Sequence, residues 1–386
     1  MPVVNEPNQA QLFGDSVNNA APNSVNPTLA AAKLSAEAAS NNSESNYGES
    51  NDGESKSAQA QNGQDQPAPQ PSNSPRQQQH LGVVLGAAIG DAMGHPTEFM
   101  SMAGIHARFG SQGVQGFELH WEDARGKKFA PYTDDTQMAE VVLRSLLQSR
   151  ERSESLDGAM RRVAKGFIEW AAQPQGGHRA PGNACLSGCR ALASGVPWQQ
   201  AGGATAGGCG SVMRAYPFGL VFAHDLACAE HWAVAHSKLT HRDPIALAAS
   251  AAMAVGVALA MRHETPITIA SEMIAAAARY SARTAIMMTQ ALDDAQNGIG
   301  PEITLDRLRA WAAHEAIAAC VYLLMRHPDD ARAAILEGAN TPGDSDSIAT
   351  LAGALIGARV GVSGLPTLWI NDVERSAELS SLALRI

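Results

Sequence analysis

Two short acidic segments carry the strongest chemical signal in this 386-residue chain. They are Tyr132-Thr133-Asp134-Asp135-Thr136-Gln137-Met138 and Gly343-Asp344-Ser345-Asp346-Ser347-Ile348-Ala349. Each sets two carboxylates one or two residues apart with hydroxyl side chains beside them, and each leads into a helical pattern. Adjacent carboxylates repel, and a hard divalent cation with oxygen ligands removes that cost. The competing reading is a helix N-cap with a favourable dipole interaction. Either segment alone fits both readings. Two of them, each richer in acids than a cap requires, favour the cation.

A third segment runs from Gly86 to Phe99 and contains Gly86, Gly90 and Gly94, followed by Pro96 and Glu98. Glycines four apart lie on one face of a helix, where another backbone can pack closely. Tight packing accounts for the glycines. It does not account for Asp91, an acid on the apolar face, or for Glu98 just past the helix-breaking Pro96. A fourth segment, Ala206-Gly207-Gly208-Cys209-Gly210-Ser211-Val212-Met213-Arg214, is a glycine-rich turn whose backbone N–H groups could cradle a diphosphate. No Gly-Lys-Ser/Thr follows and no strand precedes it, which excludes a Walker loop and a dinucleotide-binding fingerprint. Cys209 with His236 or His241 could form a thiol nucleophile, although a small buried Cys is the commoner arrangement. His231, His236 and His241 recur every five residues, a spacing that scatters them around a helix instead of aligning zinc ligands.

The elements that must position these groups read as helices. Apolar residues recur at helical spacing after Thr133–Thr136, and again over about 157–172, 245–262, 266–292, 304–327 and 345–360. Alternating β-branched runs are almost absent, so the expected fold is an all-α domain of many helices with long functional loops. The uncharged run from Ile245 to Met261 is Ala-rich and at the short limit for spanning a bilayer, and reads as a buried helix. Residues 1–79 differ in texture. They hold 33 Ser, Asn or Gln and only ten large apolar residues, too few to offset the entropy of ordering. We therefore expect a disordered polar tail over 1–79, stiffened near its end by Pro67, Pro69, Pro71 and Pro75, and a single all-α domain over 80–386. Tail and domain each carry a net charge of −5 with no basic stripe, which argues against nucleic acid as a partner. Five scattered cysteines without a CxxC pair make a disulfide framework or a zinc knuckle improbable. The first residues, Met1 to Glu6, lack the basic and apolar regions of a signal peptide, and the expected location is cytoplasmic, with no membrane partner.

In order, Gly90-Asp91-Ala92-Met93-Gly94 with Glu98-Phe99, Tyr132–Thr136, Gly208–Arg214, Thr240-His241 with Pro244, and Gly343–Ser347 resemble the motifs of the ADP-ribosylglycohydrolase family over about residues 81–361. The resemblance implies an all-α fold with a two-magnesium centre at the mouth of a cleft, in which Mn2+ can substitute for Mg2+. It implies that Thr133, Asp134, Asp135 and Asp346 serve one metal, and Asp344, Asp346 and Ser347 with Glu98 the other. Glu98, Asp134 and Asp135 become the candidate catalytic carboxylates. Gly208, Gly210, Ser211 and His241 become the diphosphate and adenosine-side contacts, with Asn183 of Pro181-Gly182-Asn183 a further candidate. Two positions depart from many members. Ser347 stands in place of Thr and keeps the hydroxyl. Cys209 stands in place of Asn, so the contacts of that amide do not carry over.

The implied activity is hydrolysis of the N-glycosidic bond joining ADP-ribose to protein arginine, with an ADP-ribosylated protein as substrate. The alternatives are another ADP-ribosyl linkage, serine- or acyl-linked, or a binding protein. Members of the family can act as immunity proteins against an ADP-ribosylating toxin, and the tail, with its short amphipathic stretch over 28–38, is the candidate arm for such a partner.

Overall fold

Ser74 and Pro75 open the first helix. The Ser74 hydroxyl accepts from the Gln77 backbone N–H while the Gln77 side chain accepts from the Ser74 N–H, a reciprocal cap, and Pro75 occupies the first helical position, where no N–H is needed. The computed structural model describes residues 73–119 and 121–386. Most of the expected polar tail, including 28–38, lies outside the described residues. Residues 75–79, which were expected in that tail, belong instead to the Pro75–Gly94 helix, where Gln79 is buried and donates to the carbonyls of Met261 and Ala358. Pro75 thus starts the helix instead of stiffening a linker.

The described residues form seventeen α-helices and one two-stranded hairpin, Trp121–Glu122 with Lys128–Phe129. The fold is all-α, as expected. At its centre the Pro75–Gly94 helix lies along the Ser345–Val360 helix. The four-residue glycine spacing finds its partner there. A Cβ on Gly82, Gly86 or Gly90 would overlap the carbonyl oxygen of Gly357, Gly353 or Ala349, and one on Gly353 would overlap that of Gly86. The two backbones are therefore in direct contact along the shared face. The contact ends at Gly94, where a Cβ would strike the Asp346 backbone. Leu351 and Leu355, fully buried on the same helix, each contribute about 1.5–3 kcal/mol of burial.

The uncharged run forms the Pro244–Ala260 helix, which is buried nearly all round. It packs against Leu226–Ser237, Pro266–Ala278, Ala313–Arg326 and Ser345–Val360, consistent with a helix apolar on every face. Among the described residues, no helix is long and apolar enough to cross a membrane. A second core joins Met138 and Val142 of the Asp134–Glu151 helix to Phe167 and Cys189 on the Leu156–Ala172 and Asn183–Ala193 helices.

Two expected helical runs are interrupted. The run over 266–292 divides into Pro266–Ala278 and Ala282–Gln296, because Ser281 caps a new helix by accepting from Thr284 N–H. The run over 304–327 divides into Pro301–Arg307 and Ala313–Arg326, separated by a loop in which Ala310 has φ 57°. Neither break contains a Gly or Pro to announce it. The second is made by tertiary bonds: the carbonyls of Arg309 and Ala310 accept from Asp344 N–H and the Cys209 thiol, and Ala313 N–H donates to Gly207.

Candidate active site

The first wall of the site is the N-terminus of the Asp134–Glu151 helix. Thr133 is its cap and accepts from Asp135 N–H at 3.3 Å. Asp91, fully buried on the glycine-faced helix, accepts from Thr133 N–H at 2.9 Å, Thr136 N–H at 2.9 Å and Thr136 Oγ1 at 2.6 Å. The acid that packing alone left unexplained thus pins one helix end to the central pair.

The opposite wall is the N-terminus of the Ser345–Val360 helix. Asp344 stands at the cap position, yet its side chain makes no capping bond. This is the observation that separates the two readings of the acidic segments: a carboxylate placed to cap leaves the cap unmade. Thr97 fixes the approach of the 95–98 segment to this wall. Its hydroxyl lies 2.6 Å from Ala339 O, 2.8 Å from Gly94 O and 3.0 Å from Ser345 Oγ.

Across the gap, Ser347 Oγ donates to Asp135 Oδ2 at 3.1 Å, and Thr133 Oγ1 lies 3.4 Å from Asp346 Oδ2. Thr133, Asp134, Asp135, Asp346 and Ser347 are all buried. Glu98 reaches the same cluster with its side chain 12% exposed. Burial, followed by Asp91 and Glu98, pushes the Asp134 carboxyl well above the usual range; burial with Asp91 and Asp134 does the same to Asp135. Asp346 is raised by burial and then by Glu98, Asp135 and Asp344, and Glu98 by burial, against the lowering effect of His95. Among the described residues, Asp134, Asp135, Asp344 and Asp346 form no ion pair with a lysine or arginine. Crowded carboxylates and hydroxyls, with no lysine or arginine bonded to the carboxylates, are the donor set of a hard divalent cation.

The glycine-rich turn lies beside this cluster as a 3-10 turn, Cys209–Ser211. The Ser211 hydroxyl is turned inward, bonded to Ser237 at 2.9 Å and near Ser250, so any ligand contact from Ser211 falls to its backbone. Gly210 has no room for a side chain, since a Cβ would overlap Cys185 Sγ and crowd the His241 ring. Cys209 donates its thiol proton to Ala310 O and meets no histidine, and burial raises its pKa well above the ordinary thiol value. The thiol-nucleophile arrangement is not formed. Asn183 begins the Asn183–Ala193 helix and is exposed, while Cys185 on the same helix touches Gly210 O at 3.7 Å.

His241 is buried behind the turn and is held by a relay with no counterpart in the sequence reading. Fully buried Arg214 donates to Thr240 Oγ1 at 2.6 Å, and Thr240 Oγ1 lies 2.8 Å from His241 Nδ1. Arg214 can only donate to Oγ1, which leaves the Thr240 proton available to Nδ1; with Thr240 as the donor, the His241 proton sits on Nε2, the nitrogen that faces Gly208 and Gly210. Burial and then Arg214 lower the His241 pKa to about 3, so the ring is a neutral donor. Arg214 also donates to His236 Nε2 at 3.1 Å and stacks over Phe167.

Two further features escaped the sequence reading. His95, three residues before Glu98, brings Nδ1 to 3.5 Å from Glu98 Oε2, and ligand atoms of His95, Glu98 and Asp346 lie within 4.8 Å of one another. Phe99 and Trp311, 57% and 58% exposed, stack with centroids 5.5 Å apart at the rim, and Phe99 takes φ 60°, rare for a bulky residue. His95 and Phe99 lie inside a quoted motif and Trp311 in the expected helical run over 304–327; their convergence was not legible.

The all-α fold brings the buried carboxylates of two helix N-termini beside a glycine-rich turn, and the class of protein it belongs to is a hydrolase. The ADP-ribosylglycohydrolase family model matches residues 72–386, and the chain belongs to that family, whose members remove ADP-ribose hydrolytically. The ADP-ribosylarginine hydrolase Tri1 of Pseudomonas putida (strain GB-1) is 28% identical, covering 78% of this chain and 76% of its own. The ADP-ribosyl-[dinitrogen reductase] glycohydrolase of Rhodospirillum rubrum is 25% identical, covering 77% and 91%. A solved structure described as an ADP-ribosylglycohydrolase-related protein complex superposes with a TM-score of 0.60 at 24% identity, covering 80% of this chain and 97% of that one.

Proposed function

We propose that this chain is a magnesium-dependent ADP-ribosylarginine hydrolase. The buried pair of acidic helix ends, at one of which Asp344 leaves its cap bond unmade, carries the metal reading, and the name of the Pseudomonas putida relative supports the arginine linkage. Thr133, Asp134, Asp135, Asp344, Asp346 and Ser347, with Glu98, would hold two Mg2+ ions, and Mn2+ can substitute. When bound, such ions supply positive charge to ribose hydroxyls and lower the pKa of water.

The backbone of Gly208, Gly210 and Ser211 and the Nε2–H of His241 would donate to the diphosphate, fixing the ribose against the acidic wall. Glu98, its side chain 12% exposed and its carboxyl raised by burial, is suited to take a proton from the attacking water, with Asp134 or Asp135 orienting it. The water oxygen bonds to the anomeric carbon as the carbon–nitrogen bond breaks. Its electron pair leaves on nitrogen, so the substituted guanidinium departs as neutral guanidine and regains a proton from the released water proton. A strong general acid is not required, which predicts a single-turnover rate without a fall on the alkaline side, while protonation of Glu98 lowers the rate on the acid side.

The test is release of free ADP-ribose, followed by mass spectrometry, from arginine-modified and from serine-modified protein, with and without Mg2+. We expect release from the arginine-modified protein only, abolished by chelation and by Asp346→Ala. Full activity of Asp346→Ala with normal Mg2+ binding would overturn the assignment. A second reading, motivated by the amphipathic stretch over 28–38, is direct occlusion of an ADP-ribosylating toxin by residues 1–79; deletion of 1–79 should then weaken toxin binding and leave hydrolysis intact.

A further inference from the structure

We propose that His95 supplies a nitrogen donor, through Nδ1, to the cation position next to Glu98 and Asp346, and that this donor makes the position select a borderline divalent ion such as Mn2+ over Mg2+. The inference rests on the divalent-cation reading of the acidic centre.

His95 Nδ1 is shielded from solvent and makes no hydrogen bond of good geometry, its ion-pair contact with Glu98 Oε2 being long at 3.5 Å. A buried polar atom left unpaired costs about 1–3 kcal/mol, which bonding to a ligand would offset. The ligand atoms of His95, Glu98 and Asp346 already lie within 4.8 Å of one another. Two donors bound about 2.1 Å from one ion stand roughly 3–4.2 Å apart, so small side-chain rotations suffice to close the set.

The backbone fixes this convergence. His95 directly follows Gly94, where the central helices touch at Asp346, and the Thr97–Ser345 bond clamps the same segment two residues later. The position of His95 relative to Asp346 is therefore set by packing. Every other donor in the centre is an oxygen, which suits Mg2+. Imidazole nitrogen suits later divalent ions, whose affinities exceed that of Mg2+ at a mixed site.

The experiment uses the full-length chain with Mn2+ as probe. Pulsed electron paramagnetic resonance should show the 14N modulation of a directly bound imidazole, altered by 15N-histidine labelling of the unsubstituted protein and lost in His95→Ala. Titrations should show Mn2+ affinity falling about tenfold or more in His95→Ala, with Mg2+ affinity changing roughly threefold or less. The side chain is one-third exposed and makes no hydrogen bond, so the variant should fold, and the labelling arm does not depend on it. Bound Mn2+ without 14N modulation, modulation that persists in His95→Ala, or equal loss of both metals would overturn the inference while leaving the divalent-cation reading intact. Failure of Mn2+ and Mg2+ to bind at all would overturn both.

Discussion

Ser347 Oγ donates to Asp135 Oδ2 at 3.1 Å, joining two helix N-termini whose residues are 212 positions apart in the chain. The bond spans the proposed metal centre, and each end has its own anchor: Asp91 holds the Thr133–Thr136 turn, and the glycine contact holds the Ser345–Val360 helix. Disturbing either anchor should move one half of the centre relative to the other.

Gly86→Ala tests the second anchor. Alanine is the better helix former by about 1 kcal/mol, which alone would stabilise the chain. The added methyl would overlap the Gly353 carbonyl, a backbone atom that cannot rotate away, and overpacking of this kind costs about 1–3 kcal/mol. We expect net destabilisation in denaturant unfolding, together with weaker divalent-cation binding by calorimetry.

Asp91→Asn tests the first anchor. Three donors converge on the Asp91 carboxylate, and an amide must turn its NH2 toward at least one of them. A loss of about 1–3 kcal/mol in unfolding free energy is expected, with cation affinity reduced although Asp91 itself is not a proposed ligand.

Stability should fall with rising pH without cation and hold with it. In the metal-free chain the Asp134, Asp135 and Asp346 carboxyls titrate well above their unfolded value of about 4. The folded state then binds more protons than the unfolded state, so stability is greatest below pH 4 and declines as pH rises through the folded pKa values. Bound Mg2+ favours the ionised carboxylates and removes that decline. Thermal melts from pH 5 to 8 should fall in chelator, and the gain on adding Mg2+ should widen with pH; a gain independent of pH would refute the linkage.

His241 should stay neutral, with its proton on Nε2, throughout pH 5–9, since its pKa is lowered to about 3. Nitrogen-15 shifts of the labelled ring report both points. Thr240→Val removes the hydroxyl that meets Nδ1 and leaves Arg214 short of an acceptor. It should disturb the tautomer ratio and weaken ADP-ribose binding by roughly tenfold, the effect of losing about 1.4 kcal/mol of oriented hydrogen bonding.

Trp311→Ala removes one half of the exposed aromatic stack. If a planar group of the substrate rests on it, KM should rise roughly threefold to tenfold with kcat little changed, the range expected for losing one stacked contact.

The four motifs, the helical texture and the close-packed glycine face were legible in the amino-acid order because each is a local pattern: acid and hydroxyl spacing, a period near 3.6, and Gly86, Gly90 and Gly94 at intervals of four. The chain order also marked Asp91 as unexplained by packing. Its hydrogen bonds to Thr133 and Thr136 required the fold, since no local rule pairs residues more than forty positions apart. The same holds for the break at Leu308–Ala312, which has helical residues but gives its carbonyls to Asp344 and Cys209. His95 and Arg214 lay within recognised motifs and carried no role there. Burial of Nδ1 against Glu98, and of a guanidinium behind Thr240, depends on which backbones touch, and contact between the two central helices is a property of three-dimensional packing.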